Sequence, residues 1–534
     1  MSISVTRRFL PALALALAAT ALTGALTPLQ AQVTAFKQAV AEAAYGNEAV
    51  GTFYRTRGYK PVFTGKKDMR HRAALLRALE TAEIHGLPAD RYDPAELKAA
   101  LKGAKSARDL GRAEVLAAKM FVQFSQDLQS GAMVPRKIDS NIVRDLPRRD
   151  QVKQLEAFSK SSPNGYMKSL APKTAQYTAL LAEKMKLEQV LAQGGWGAKL
   201  PGASLKPGQS GQSIVALRNR LIAMGYMKRS ASQSYDSKMQ KAVQQFQLAH
   251  GLNPDGVAGE ATIQAINVPA KTRLTSVLVA MERERWTNIP KGKRHILVNI
   301  PEFTARIIDS GKESFSTRVV VGKNVSNQQT PEFSDVMEFI VINPTWNVPR
   351  SIATKEYLPQ LKRNPNAVSH LKLVDSRGRT ISRSAVNFSK YTAATFPFAL
   401  KQPPSQRNAL GIVKFMFPNK YNIYLHDTPS KSLFQRDRRA FSHGCVRVGD
   451  PKDLAYAILA RQTKDPEGFF QSKLNTGVES RVNLEKPIPV HIQYRTAFAK
   501  AKGQMNYRDD IYGRDAKIWA AMQAAGVRVR AAGS

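Results

Sequence analysis

The spacing of apolar side chains changes from helical to strand-like near Arg294, and that change divides the chain. Before it, from about Ala44 to Val190, the period is close to 3.6. Arg72 to Leu79 reads as one amphipathic helix, and Leu116, Met120, Phe124 and Leu128 recur every fourth residue down another that should end near Gly131. A stretch rich in glycine, proline and serine, from Gly194-Gly195-Trp196-Gly197 through Lys206-Pro207-Gly208, marks a linker. A compact unit follows, from about 210 to 268. Ile214, Leu217, Leu221 and Met224 share one helical face that stops at Gly225. Asp236 is placed to cap a second helix carrying Met239, Val243 and Phe246, with Gly251 as its stop, and Glu260 to Ile266 makes a short third helix after the Asp255-Gly256 turn.

Beyond Arg294 the alternation has a period of two. Ile296-Val298-Ile300, Phe303 to Ile308, Arg318 to Val321 and Phe339 to Ile342 read as strands broken by turns such as Asp309-Ser310-Gly311. Ile412 to Phe417 and Asn422 to His426 resume the pattern. Between these two groups lies a proline-rich, basic insertion from 354 to 407, long enough to be a lid or a surface excursion. Asp450 to Ala460 reads as a helix with Asp450 as its cap, and Val490 to Arg495 as one more strand. Asp509 to Asp515 and a basic tail close the chain.

At 534 residues the chain exceeds one ordinary core, and 43% hydrophobic with 23% charged residues describes a folded, soluble protein. The formal charge of +39 calls for a polyanionic environment. Nucleic acid is the usual partner for such a charge, but here the basic residues are spread along the chain. Arg7-Arg8, an apolar run from Phe9 to about Leu26, and Pro28-Leu29-Gln30-Ala31 form an export-signal pattern over residues 1–31. Cleavage after Ala31 and retention as a membrane anchor are both open. A cell-envelope polymer bearing carboxylates fits export and charge together; nucleic acid does not.

Chemistry concentrates in Tyr424-Leu425-His426-Asp427 and Phe441-Ser442-His443-Gly444-Cys445-Val446-Arg447, which holds the only cysteine of the chain. A thiol needs a base to supply thiolate at neutral pH, and His443 and His426 stand two and nineteen residues before it. Three readings of Cys445 follow: a nucleophile, a small buried hydrophobe, or a metal ligand. No second cysteine and no HExxH pair supports metal, so none is expected. With a single cysteine there is no internal disulfide, and an exported free thiol is a liability unless it reacts.

His426, fifteen intervening residues and Ser442-His443-Gly444-Cys445-Val446-Arg447 together resemble the signature of the L,D-transpeptidases with a YkuD-type catalytic domain. Asn408-Ala409-Leu410-Gly411, Lys414 to Asn419 and Leu425 to Pro429 are similar to the YcbB branch. Leu217-Arg218, Gly225-Tyr226, Phe246-Gln247 and Asp255-Gly256-Val257 resemble a peptidoglycan-binding module. Two positions depart from the commonest pattern: Asp427, where glycine is frequent, and Arg447, where asparagine or arginine stands.

The resemblance implies a multidomain α+β architecture. It comprises a helical scaffold (44–195), a linker (196–209), a three-helix peptidoglycan-binding module (210–268), a β-rich catalytic domain (290–500) with a capping insertion (354–407), and a C-terminal segment (501–534). It also implies a periplasmic or cell-envelope enzyme that needs no cofactor and whose partners are peptidoglycan stem peptides and glycan strands, with membrane contact only through an N-terminal anchor. Cys445 would attack the peptide bond of a tetrapeptide stem, release terminal D-alanine and pass the acyl group from a thioester to an amine. His426 takes the place of the family's base, with His443 as the alternative. Gly444 and Cys445 N–H groups would form an oxyanion hole, Tyr424 and Arg447 would hold substrate or oxyanion, and Ser442 and His443 would shape the turn or touch substrate. Asn343, Trp346 and Pro349 resemble a groove edge. An L,D-carboxypeptidase or other hydrolase using the same residues, and a non-catalytic wall-binding scaffold, are the alternatives.

Overall fold

The computed structural model describes residues 28–500 and 503–529. The export-signal reading of 1–31 therefore lies almost entirely outside the described residues. Among those that are described, no helix is long and apolar enough to cross a membrane.

The N-terminal part is all helix. Its central element, Ala107–Ser130, opens with a reciprocal capping box between Ser106 and Asp109 and stops at Gly131. Met120, Phe124 and Leu128 face its core, with Leu116 half-buried at the margin. A buried carboxylate on the same helix, Glu114, accepts hydrogen bonds from the Val62, Phe63 and Thr64 N–H groups and from the Tyr54 hydroxyl, so its desolvation is compensated.

The small unit that follows has helices at Gln212–Ala223, Ser237–His250 and Glu260–Ile266 around its own apolar core. Asp236 accepts from the Met239 N–H at 2.9 Å, and Gly251 closes the second helix at φ +72°.

A helix the apolar period does not reveal, Ala270–Trp286, runs between these units and the strands. From Val277 to Trp286 it is buried on all sides, and the charged residues of that stretch are neutralised in pairs instead of facing water. Arg283 holds Glu332 (2.7 Å) and Asp515 (2.9 Å), Arg285 holds Glu282 (2.7 Å), and Glu284 holds Arg495 (2.5 Å).

The strands are β1 (Arg294–Asn299), β2 (Thr304–Asp309), β3 (Lys312–Gly322) and β4 (Phe333–Ile342), then β5 (Trp346–Asn347), β6 (Lys372–Val374) and β7 (Ala399–Gln402). They continue as β8 (Val413–Met416), β9 (Leu425–His426), β10 (Ala440–Ser442), β11 (Val446–Val448), β12 (Ser480–Gln493), β13 (Ala497–Ala499) and β14 (Met505–Tyr507). Nine of them form one sheet in the order β10-β3-β11-β9-β8-β4-β12-β1-β2, and a further β2–β3 pairing joins the row to itself. The alternating inward residues, among them Ile296, Val298, Ile340, Phe415, Leu425 and Val446, make its core. Between β4 and β8 the chain leaves the sheet. It builds a separate apolar cluster around Leu361, Leu371, Phe388 and Leu400, with β5, β7 and β6 as a three-stranded sheet and a single π-helical turn at Ala353–Tyr357.

Three local expectations are corrected. Only Leu425–His426 of the 422–426 run is strand, because Asn422 takes φ +53° and Asn419 ties the preceding residues into a turn. Asp450 precedes the helix Pro451–Leu459, but its carboxylate accepts from the Thr317 hydroxyl (2.8 Å) instead of capping. Asn343 is not a groove residue: at φ +51° its amide donates to the carbonyls of Lys473, Leu474 and Val478 and holds the end of the helix Pro466–Asn475.

The C-terminal residues carry more structure than their composition suggests. Arg514 is fully buried, donates to Thr330 O (2.9 Å) and Gln329 Oε1 (3.2 Å), and lies 3.3 Å from Glu332. Replacing it by methionine leaves buried acceptors without a partner. The Arg514→Met variant is expected to lose about 3–5 kcal/mol of stability in urea denaturation; a loss under about 1 kcal/mol would show the network to be dispensable.

Candidate active site

Two short parallel strands set the site. β9 and β11 pair with Leu425 opposite Val446 and His426 opposite Arg447, which places Tyr424 beside Cys445. Leu425 and Val446 are fully buried in the core of the sheet. Because side chains alternate along a strand, Tyr424, His426, Cys445 and Arg447 all project to the opposite face. Cys445 and His426 stand one strand across and two residues along, a diagonal of roughly 7–8 Å between backbones that side chains can bridge. All four line one cavity of about 1190 Å³ between the sheet and the chain connecting β4 to β8, whose Trp346, Pro349, Glu356 and Tyr357 form the facing wall.

His426 is buried, and its Nδ1 lies 2.5 Å from the Asp427 carbonyl oxygen. A carbonyl only accepts, so Nδ1 carries the hydrogen and Nε2 keeps a lone pair. Burial, reinforced by the Arg447 charge, pushes the imidazole down to about 3, against the pull of the Asp427 hydrogen bond. It is a neutral base. The strand end that carries it is locked by Asp427, whose carboxylate accepts from Ile412 N–H (2.9 Å) and Lys431 Nζ (2.5 Å). Gly411, at φ +61°, makes room for that carboxylate: a Cβ there would lie 2.1 Å from Asp427 Oδ2.

Cys445 is half-buried, with Sγ 3.4 Å from the Asn422 carbonyl that accepts its hydrogen. Desolvation pushes the thiol up to about 11, although hydrogen bonds from Tyr424 and the Arg447 charge favour the thiolate. Thiol and imidazole are therefore both neutral at rest. Alkylation of Cys445 by iodoacetamide should rise about tenfold per pH unit from pH 7 to 10. A plateau reached near pH 6 to 7 would instead reveal a preformed thiolate–imidazolium pair. Arg447 makes no ion pair among the described residues, and its Nε is buried without a partner, which leaves a cation facing the cavity.

The remaining turn residues divide by role. Ser442 Oγ donates to Cys445 O (2.5 Å) and accepts from the Gly444 N–H (3.1 Å), so it ties the turn together. That bond corrects the expectation for Gly444: its N–H is spent inside the turn and does not face a developing oxyanion. The Cys445 N–H has no hydrogen-bond partner among the described residues. Gly444 itself sits at φ +116°, where a side chain is strained. His443 Nε2 lies 2.8 Å from Glu356 Oε1 on the π-helical turn of the insertion, away from the thiol's own partners. No three His, Cys, Asp or Glu side chains come together in a group able to hold a metal ion among the described residues.

Residues 293–476, which contain all of these groups, match the family model of the L,D-transpeptidase catalytic domain. This part of the chain is an L,D-transpeptidase catalytic domain. Residues 48–183 match a scaffold domain, and residues 210–266 the "Putative peptidoglycan binding domain". A Haemophilus influenzae protein named "Putative L,D-transpeptidase" is 32% identical over 246 residues, 45% of this chain and 48% of that protein. The chain thus spans about half the length of that relative. The N-acetylmuramoyl-L-alanine amidase CwlL of Bacillus licheniformis is 39% identical over 71 residues, 13% of this chain and 20% of the amidase. Among solved structures, an L,D-transpeptidase of Stackebrandtia nassauensis shares 13% identity at a TM-score of 0.22, covering 56% of this chain and 98% of that one.

The L,D-transpeptidase domain also depends on residues outside its signature. Thr330 is fully buried; its hydroxyl donates to Gly444 O (2.7 Å) and accepts from Gly322 N–H (2.9 Å). Tyr512, from the C-terminal segment, donates to Gly322 O (2.5 Å) and braces the same strand end. No side chain fits at Gly322, where a Cβ would lie 1.9 Å from Gln328 O. Local periodicity carries no trace of these contacts, since Thr330 and Tyr512 stand 182 residues apart.

Proposed function

We propose that the chain is an extracytoplasmic peptidoglycan L,D-transpeptidase working through a Cys445 thioester. One observation carries this reading: a half-buried thiol, a neutral imidazole and a guanidinium with no ion pair among the described residues share one face of two strands in a single cavity.

Sγ attacks the carbonyl carbon of the bond preceding the terminal D-residue of a tetrapeptide stem while His426 Nε2 takes the thiol proton. Proton removal by a neutral base during attack suits a resting thiol near 11 better than a preformed thiolate does. The oxyanion of the tetrahedral intermediate is received by the Cys445 N–H, a contribution typically worth about 3 kcal/mol. As the intermediate collapses, the C–N bond breaks, His426 returns the proton to the departing amine, and D-alanine leaves a thioester behind. An amine of a second stem then attacks the thioester, its proton passing to Nε2 and from there to the released sulfur. Arg447 holds a substrate carboxylate through the cycle. Neither a metal nor an organic cofactor takes part.

The positive charge of the chain suits a wall polymer rich in carboxylates, and the 210–268 module would keep the enzyme on it. The domain boundaries set out from sequence, the capping role of 354–407, the N-terminal export signal and a periplasmic location belong to the same proposal.

The test is product analysis on purified disaccharide-tetrapeptide. Cross-linked dimer with release of D-alanine is expected. Tripeptide without dimer would make the enzyme a carboxypeptidase, and no conversion at all would leave a wall-binding scaffold.

A further inference from the structure

Behind the loop that carries the thiol's partner Asn422 lies a second cavity, of about 460 Å³, and Tyr421 lines both it and the catalytic cavity. Its floor is polar and buried. Arg144 donates to Ser334 Oγ (2.9 Å) and to the Ile492 carbonyl. His491 uses both ring nitrogens, toward Ser334 Oγ (2.8 Å) and Lys291 O (3.0 Å). Gln493 is 3% exposed, yet its Oε1 has no hydrogen-bond partner among the described residues. Lys291 Nζ forms no hydrogen bond or ion pair among the described residues.

The charges facing this space do not balance. Arg136, Arg144, Lys291 and Lys420 line it against Asp145 and Asp335. Asp145 is fully exposed and leans on Arg136 at 3.8 Å, while Asp335 is engaged by the Val336 N–H. Burial, together with the neighbouring Arg495 and Arg144, pushes the Lys291 ammonium down to about 8, so a bound anion would relieve real repulsion. The unsatisfied Gln493 Oε1 is an acceptor, so what the cavity offers is two cations beside a buried acceptor, a composition that fits a carboxylate flanked by an N–H donor.

We propose that this cavity is a second binding site for an N-acylated amino-acid carboxylate, its carboxylate held by Lys291 beside Arg144 and its amide N–H donating to Gln493 Oε1. The site stands on its own geometry; only the source of the carboxylate, a peptide stem of the wall polymer, rests on the proposed function.

The test is calorimetric titration of the full chain carrying Cys445→Ala with N-acetyl-D-alanine, and in parallel with inorganic phosphate. Lys291→Gln is expected to weaken N-acetyl-D-alanine binding at least tenfold, and Gln493→Leu to weaken it in the same direction. Arg447→Gln, which removes the guanidinium beside the thiol, should leave this binding in place. Unchanged affinity in Lys291→Gln, binding lost in Arg447→Gln alone, or binding of phosphate without N-acetyl-D-alanine would each overturn the proposal. Acylation of Cys445 by a carbapenem, measured separately in Lys291→Gln with Cys445 intact, reports whether the catalytic reading survives independently.

Discussion

Cys445→Ala is expected to abolish covalent adduct formation and to lower cross-linked product by at least about 10⁴-fold, because the proposed mechanism carries the acyl chain on its sulfur. Removal of the thiol should barely touch the fold. Sγ donates one long hydrogen bond, at 3.4 Å to Asn422 O, and otherwise accepts only from Tyr424, and the residue is only half-buried, so the stability cost is expected to stay below about 1 kcal/mol. Product chromatography and thermal melting on the same preparation check both halves. Turnover above one per cent of wild type, in a variant that melts normally, would remove sulfur from the mechanism.

The second large effect is expected at His426. His426→Gln should slow acylation by about 10²–10⁴-fold, the usual contribution of a positioned base, with kcat falling more than KM rises. A His443→Gln variant makes the comparison decisive. Its imidazole is held by Glu356 on the insertion, so its loss should change substrate affinity and leave the acylation step within about tenfold of wild type. If His443→Gln suffered the larger loss in single-turnover acylation while His426→Gln kept its rate, the base would be His443. The cause would then be a rearrangement that frees it from the insertion.

The sequence yields the parts of this architecture whose forces are local. The three-helix unit is readable from Asp236, Gly251 and the apolar rows because caps and periodicity are set within a few residues. The strand pattern after Arg294 is readable for the same reason, and Cys445 and His426 stand out as candidates because both lie in one motif. Three things are hidden. The helix Ala270–Trp286 hides because its buried face is charged, and pairs such as Arg283–Glu332 depend on partners far along the chain. The commitment of the Gly444 N–H to Ser442 Oγ hides because turn geometry decides it, not residue type. The bracing of the loop that carries Cys445 by Thr330 and Tyr512 hides because it joins segments that only the folded chain brings together.

The sequence departures from the family pattern also acquire physical reasons. Asp427 stands where glycine is frequent, and its carboxylate is what Ile412 N–H and Lys431 hold to fix the strand end beneath His426. Among the described residues Arg447 is left without an acidic partner, and its charge acts on both the imidazole and the thiol.

The most direct measurement is intact-mass analysis of the wild-type chain, quenched within one turnover on a defined tetrapeptide substrate, followed by fragment mapping. The mechanism predicts a transient mass increase equal to the acyl tripeptide, located on Cys445 and lost on addition of an amine acceptor. Product release with no adduct at any time point, or an adduct mapped to another residue, would contradict it.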